Sequence, residues 1–260
     1  MLLHDQLLPG LLLLLALVVL SLILGWNDSL VQPVPNSSIS GIKGRPGLAM
    51  EFASSQRQVK DLLDVADTQP AKSNRRIIAR QQYIDFFYIV TYWAFFFFVI
   101  GGPMRTSQIP AGRMLGQLLG VLITLAAVAD VLEDFGILFA VRPAYDGWFW
   151  PFGFGVTKWL CFYLALLSSA PFFITYPRLG NFPMSASRLD WIAVFIGILL
   201  VVSSFVGLVG TIGAIRATPD TASWLVKSFK PLALAFLLLL AWFGMGIAGR
   251  VIVNWRSAHA

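Results

Sequence analysis

Residues 7–26 read LLPGLLLLLALVVLSLILGW, without a single charged side chain. A helix needs about 20 mostly apolar residues to cross a hydrocarbon layer roughly 30 Å thick. The other spanning solution is a closed barrel, whose strands alternate apolar and polar positions. The unbroken runs Leu11–Leu15 and Phe95–Phe98 do not alternate, so they read as helix. Working outward, five more stretches have the length and apolarity of a span: Tyr83–Gly101, Met114–Val141, Val156–Tyr176, Trp191–Ile215 and Pro231–Val253. The expected fold is an all-α integral membrane protein, a bundle of about six transmembrane helices with a cytoplasmic amphipathic helix.

The composition agrees. Of 260 residues, 57% are hydrophobic and 12% charged, with a mean hydropathy of +0.75. Soluble domains carry about 25% charged residues, and disordered chains carry still more charge with less apolar content, so both classes are excluded. Cys161 is the one cysteine, which excludes a disulfide framework and a Cys-rich metal site. His4 and His259 stand at opposite ends of the chain, which argues against a bis-histidine haem or a histidine zinc site inside the bundle. No cofactor is named by these residues.

Met1–Gln6 lacks the basic residues of a signal peptide, and Ser21–Trp26 lacks a clear small-residue cleavage pattern. The first span therefore reads as a retained helix. Cytoplasmic loops are enriched in Lys and Arg. The first, third and fifth connections hold thirteen of them, including Arg75, Arg76, Arg80, Arg142 and Lys158, against six on the other side. This places both termini outside, or in the periplasm, and the long first loop in the cytoplasm; the expected location is a cell membrane, as a multi-pass protein of the bacterial inner-membrane type. The excess positive charge then reflects topology and contact with anionic lipid, not nucleic-acid binding. Asn27-Asp-Ser29 and Asn36-Ser-Ser38 fit the glycosylation pattern, but this topology puts them on the wrong side.

The chain divides into the first helix (1–26), a cytoplasmic loop (27–82) and a five-helix bundle (83–260). Asn27–Gly47 is rich in Pro, Gly and Ser and reads as irregular linker. Gly41-Ile-Lys-Gly-Arg-Pro-Gly47 combines glycine with basic residues but lacks the strand and helix of a phosphate loop. Ser54–Ala66 reads as an amphipathic helix: Ser54 or Ser55 can cap it, and Val59, Leu62, Leu63 and Ala66 share one face. It can lie on the membrane surface or pack on the end of the bundle.

The most informative feature is Asp130-Val-Leu-Glu133-Asp134 inside the third span. Positions i, i+3 and i+4 share one helix face. At 1.5 Å per residue, Asp130, Glu133 and Asp134 lie about 16, 12 and 10 Å from the end of that span. A charge at mid-membrane costs at least about 2.5–3.5 kcal/mol, so the three acids must face the bundle interior, water or a partner. Crowded acids share protons as a coupled set. Lys158 and Arg142 are the candidate counter-charges and Asp85 a candidate fourth acid, with Arg216 a further cation that can snorkel to the interface. Tyr83, Tyr88 and Tyr92 can offer hydroxyls. An all-oxygen site suits Mg²⁺ or Ca²⁺ more than zinc or copper.

Small residues at four-residue spacing let helices approach closely in lipid. They recur at Gly112, Gly116 and Gly120, at Ser203, Gly207, Gly210 and Ala214, and at Gly244, Gly246 and Gly249. They serve contacts within the chain, a homodimer or a partner subunit. Pro171 is expected to kink the fourth span, and Pro231 suits the first turn of the last. Trp148, Phe149, Trp150, Phe152, Phe154 and Trp159 crowd one connection, as an interfacial belt or as a groove for a pigment, quinone or lipid.

From Glu51 to about Leu138 the features follow a set order. Phe52-Ala-Ser-Ser comes first, then the basic run Arg75–Arg80. Asp85-Phe-Phe-Tyr-Ile-Val-Thr-Tyr92 follows, then Ala129-Asp130-Val-Leu-Glu133-Asp134. This third of the chain resembles uncharacterised bacterial polytopic membrane proteins with an early helix aspartate and an Asp-x-x-Glu-Asn-like motif in the next helix. Asp134 stands where that pattern has asparagine. The resemblance implies no activity.

No nucleophile-plus-base arrangement, dinucleotide glycine fingerprint or zinc spacing is present in the sequence, so catalysis is not the expectation. The leading expectation is a membrane protein that binds or conducts a proton or cation, with Asp130 as central ligand. Its rival is an accessory or assembly subunit of a larger membrane complex.

Overall fold

The computed structural model describes residues 7–31, 46–53, 55, 58–59, 69–142, 151–175, 187–216 and 219–258. Its elements are α1 (Leu7–Ser29), α2 (Pro46–Glu51), α3 (Gln69–Ala94), a π-helical turn (Phe95–Ile100), α4 (Gly101–Arg105), α5 (Pro110–Ala140), α6 (Pro151–Thr175), α7 (Ser187–Ile215) and α8 (Pro219–Ala258). Among the described residues, six helical segments are long and apolar enough to cross a membrane: Leu7–Ser29, Asn74–Arg105, Pro110–Ala140, Pro151–Ile174, Trp191–Ile215 and Ser223–Ala248.

These six segments close into a ring in chain order. The segment containing α3 packs on α5, α5 on α6, α6 on α7 and α7 on α8, and α1 completes the circuit by touching both α3 and α8. The core is apolar, with residues such as Phe95, Phe96, Phe173 and Leu239 buried, and unlike that of a soluble bundle the outer surface is apolar too. On α5, Leu118, Val121, Leu125, Val128, Leu132, Phe135 and Phe139 repeat at three- and four-residue steps and are exposed. The opposite face buries Asp130, Glu133 and Asp134 to 4%, 0% and 1% exposure. An apolar outer stripe is stable where the surroundings are apolar, because solvent exposure of that stripe would forfeit about 25 cal/mol per Å².

Local chemistry sets the helix ends. Pro110 occupies the first turn of α5, after the extended Ile109, where a missing N–H costs nothing. At the other end Arg75 Nη1 donates to the Val141 carbonyl at 2.8 Å, a cation at a helix C-terminus. The basic run is therefore part of α3, which starts well before the apolar stretch at Tyr83. Arg80 binds the Asn27 side-chain oxygen, and Asn27 Nδ2 donates to the Ile77 carbonyl at 3.1 Å. Asn27 is thus buried in the α1–α3 contact and lies in a helix, not in the linker expected there. Gly47 N–H donates to Asp28 Oδ1 at 2.8 Å, drawing α2 onto the end of α1. Of the basic segment 41–47, residues 41–45 lie outside the described residues. So does most of Ser54–Ala66, although Ser55 Oγ accepts from Gln58 N–H at 3.3 Å, as a cap would.

The π-helical turn frees backbone carbonyls from the regular ladder. Phe97 O receives Arg105 Nη2 at 2.7 Å, and the Arg105 guanidinium lies 4.2 Å from the Phe97 ring centroid.

Small residues of two of these faces are used within the chain. A Cβ on Gly116 would stand 2.6 Å from Arg105 N and 2.7 Å from Met104 Cβ, and one on Gly210 would collide with the Leu225 backbone. The last helix corrects one expectation. Pro231 lies inside α8, whose first residue is Pro219. One turn earlier Ser203 Oγ donates to the Ser228 carbonyl at 2.9 Å, so a hydroxyl from α7 braces the backbone near the proline. Trp148–Trp150 lie outside the described residues, while Phe152 and Phe154 belong to α6.

Candidate functional site

Lys158 is the hub. It sits two turns into α6 and is 6% exposed. Its Nζ lies 2.9 Å from Glu51 Oε2, 2.9 Å from Asp130 Oδ1 and 2.9 Å from Glu133 Oε2. An ammonium has three N–H donors, and three carboxylates from two elements, α2 and α5, take up the directions around it. Desolvating such a group is tolerable only with this degree of pairing.

The acids have further partners. Tyr92 OH donates to Asp130 Oδ2 at 3.0 Å, so both oxygens of Asp130 are engaged. Trp159 Nε1 donates to Glu51 Oε2 at 2.7 Å. Asp85, on α3, faces Asp130 and Asp134, and one carboxylate oxygen from each of the three lies within 4.8 Å of the others. Among the described residues Asp85 makes no hydrogen bond or ion pair. Among the described residues Asp130 Oδ1, both Glu133 carboxylate oxygens and Asp134 Oδ2 are buried without a hydrogen-bond partner, although Asp130 Oδ1 and Glu133 Oε2 are ion-paired with Lys158.

Each side chain is placed by its helix. Asp130 and Asp134 are one turn apart on α5 and aim into the ring because the exposed stripe takes the other faces. Asp85 and Tyr92 lie two turns apart along α3, with Tyr88 between them. Glu51 is delivered by α2, where Leu48, Met50 and Phe52 are 7%, 0% and 6% exposed and anchor the segment in the bundle end. Gly155 makes room for it: a Cβ there would meet the Glu51 carbonyl oxygen at 2.7 Å and the Glu133 carboxyl at 3.4 Å. Burial raises the Glu51 carboxyl above its ordinary range; Lys158 pulls it down and Asp130 pushes it further up.

The structure brings together Asp85, Asp130, Glu133, Asp134 and Lys158 from the sequence-read set. Arg142 is elsewhere: its guanidinium lies 4.8 Å from the Phe139 ring centroid, and among the described residues the ion pairs of the acids are those of Lys158. Tyr92 reaches the acids, whereas Tyr83 is 61% exposed. Sequence reasoning missed Glu51 as a site residue. Its signal is an acid directly after the apolar Leu48-Ala-Met50, in a segment that periodicity could not place.

A cavity of about 300 Å³ adjoins the cluster. Asp28, Glu51, Asp85, Asp130 and Lys158 contribute its charged wall, and Phe162, Phe229, Leu232 and Phe236 an apolar one. Chemically the site can hold a proton shared among carboxylates, or a cation on the oxygens of Asp85, Asp130 and Asp134. No protein-family model, curated protein or solved structure matches this chain.

Proposed function

We propose that this chain is a multi-pass protein of a cell membrane, of the bacterial inner-membrane type, that binds a proton or a cation within its helix ring and passes it between the ring and the cytoplasmic side. One observation carries the reading. Among the described residues five acids cluster with one ammonium: Glu51, Asp130 and Glu133 pair with Lys158, and Asp85 and Asp134 stand beside Asp130. In a low-dielectric interior that excess of negative charge must be neutralised by bound protons or a cation.

Asp130 is the central group because it belongs both to the Lys158 cluster and to the Asp85–Asp134 triad. Asp85 and Asp134 complete an all-oxygen site of the kind hard cations prefer. Glu133, Glu51 and Lys158 set the local charge. The loop charges put this end of the bundle on the cytoplasmic side, and lipid covers the exposed apolar stripe of α5. The small-residue faces, which support a subunit role when left unpartnered, are taken up by neighbouring helices of the same chain at Gly116 and Gly210.

The test uses purified protein in lipid nanodiscs. Calcium, magnesium and sodium binding is followed by calorimetry, and carboxyl protonation by infrared difference spectroscopy. Wild type is expected to take up one inorganic cation, or to show a protonated-carboxyl band that shifts with pH, and Asp130→Asn and Asp134→Asn to abolish that signal. If both variants fold and leave every signal unchanged, the reading fails.

A further inference from the structure

The cavity beside the acids has a chemistry of its own. Its charged wall carries Asp85 and Asp130 from the carboxylate triad. Lys158 also lines it, but three carboxylates at 2.9 Å already answer the charge of that ammonium. Asp85 is only half-buried and, among the described residues, unpaired. Behind it, Asp134 Oδ2 is buried and unpartnered, in a residue 1% exposed. The uncompensated charge facing the cavity is therefore negative.

The rest of the wall is aromatic and aliphatic. Tyr88 and Trp159 flank the acids, and ring faces attract cations. Phe162 and Phe236 both meet Phe96, with ring centroids 6.1 and 6.4 Å apart, and Phe96 lies one turn beyond Tyr92, in the π-helical turn that follows α3. The apolar wall thus continues inward past the polar groups. A volume of about 300 Å³ is at the lower end of small-molecule sites.

We propose that this cavity binds a small amphiphilic organic monocation, its ammonium-type head on Asp85 beside Asp130 and its apolar tail along Phe162, Leu232 and Phe236. The inference rests on the acids being a cation site and names the ligand class of that site. Because Asp85 and Asp130 belong to both arrangements, an organic cation and an inorganic cation or proton compete for the same oxygens. Occupancy by one expels the other, which is the thermodynamic requirement for exchange.

The test titrates hexyltrimethylammonium into the full chain in nanodiscs, with hexanesulfonate as the anionic control. Hexyltrimethylammonium is expected to bind saturably at one per chain and hexanesulfonate at least tenfold more weakly. Asp85→Asn is expected to weaken hexyltrimethylammonium at least tenfold, with Asp85→Glu restoring most of the affinity. Phe236→Trp, which fills the apolar wall, is expected to block the organic cation and leave inorganic cation binding intact. Equal binding of the sulfonate, or undiminished binding by a folded Asp85→Asn variant, overturns the proposal. Saturable binding of the probe to a wild type that takes up neither inorganic cations nor protons supports the cavity assignment and removes only the ion reading.

Discussion

A methyl group on Gly155 would stand 2.7 Å from the carbonyl oxygen of Glu51. The two residues are far apart in sequence, yet this approach is what lets α2 carry a carboxylate to Lys158. The bundle end is closed by a loop segment because one helix position lacks a side chain.

Gly155→Ala is expected to destabilise the protein by about 1–3 kcal/mol, the usual cost of overpacking, as a lowered thermal midpoint in detergent. Gly153→Ala is the control: a Cβ there meets nothing within 4 Å. It should be neutral or stabilising by up to about 1 kcal/mol, the helix preference for alanine over glycine.

The Glu51 carboxyl titrates above its ordinary value of 4.5, chiefly through burial. A folded-state value above the unfolded one means that its stabilising contribution is complete below pH 4.5 and is lost as pH rises through the folded value. Glu51→Gln keeps an acceptor for Trp159 and removes the titration. Its thermal midpoint should therefore fall less than that of wild type as pH is raised from 4 to neutrality. Parallel profiles would contradict the assignment.

Tyr92→Phe removes the hydroxyl that donates to Asp130 Oδ2 at 3.0 Å. Hydrogen bonds to charged groups contribute about 1.5–3 kcal/mol, so chemical denaturation should show a loss of that order. Infrared difference spectra should show a shifted carboxylate band that disappears in the double variant with Asp130→Asn.

Two glycines separate tight packing from open space. Gly210→Ala brings a methyl onto the Leu225 backbone, whereas Gly244→Ala meets nothing within 4 Å. The first should lower the thermal midpoint clearly, because backbone cannot move aside as a flexible side chain can. The second should leave it unchanged; a fall with Gly244→Ala would instead indicate a contact with a second chain.

The six apolar helices were legible because runs such as Leu11–Leu15 carry their meaning locally: about 20 residues either can or cannot span a hydrocarbon layer; the starts of α3 at Gln69 and α8 at Pro219 lie in polar sequence and were not. The buried face of α5 was legible too, since Asp130, Glu133 and Asp134 share a face by spacing alone. Local signals misled at Pro231, which sits inside α8. An N-terminal proline and an interior one look alike until the preceding turn is seen braced, here by Ser203 from α7.

What the sequence alone determined is the helical fold, six segments long and apolar enough to cross a membrane, and the inward acidic face, because each follows from periodicity and hydropathy within one segment. Which cation answers those acids was decided by tertiary structure. Lys158 and Arg142 were equivalent by sequence, and only the packing of α6 against α5 and α2 brings one ammonium within 2.9 Å of three carboxylates while leaving the other over Phe139. Charge pairing depends on distances between segments, and those are set by how the helices close into a ring.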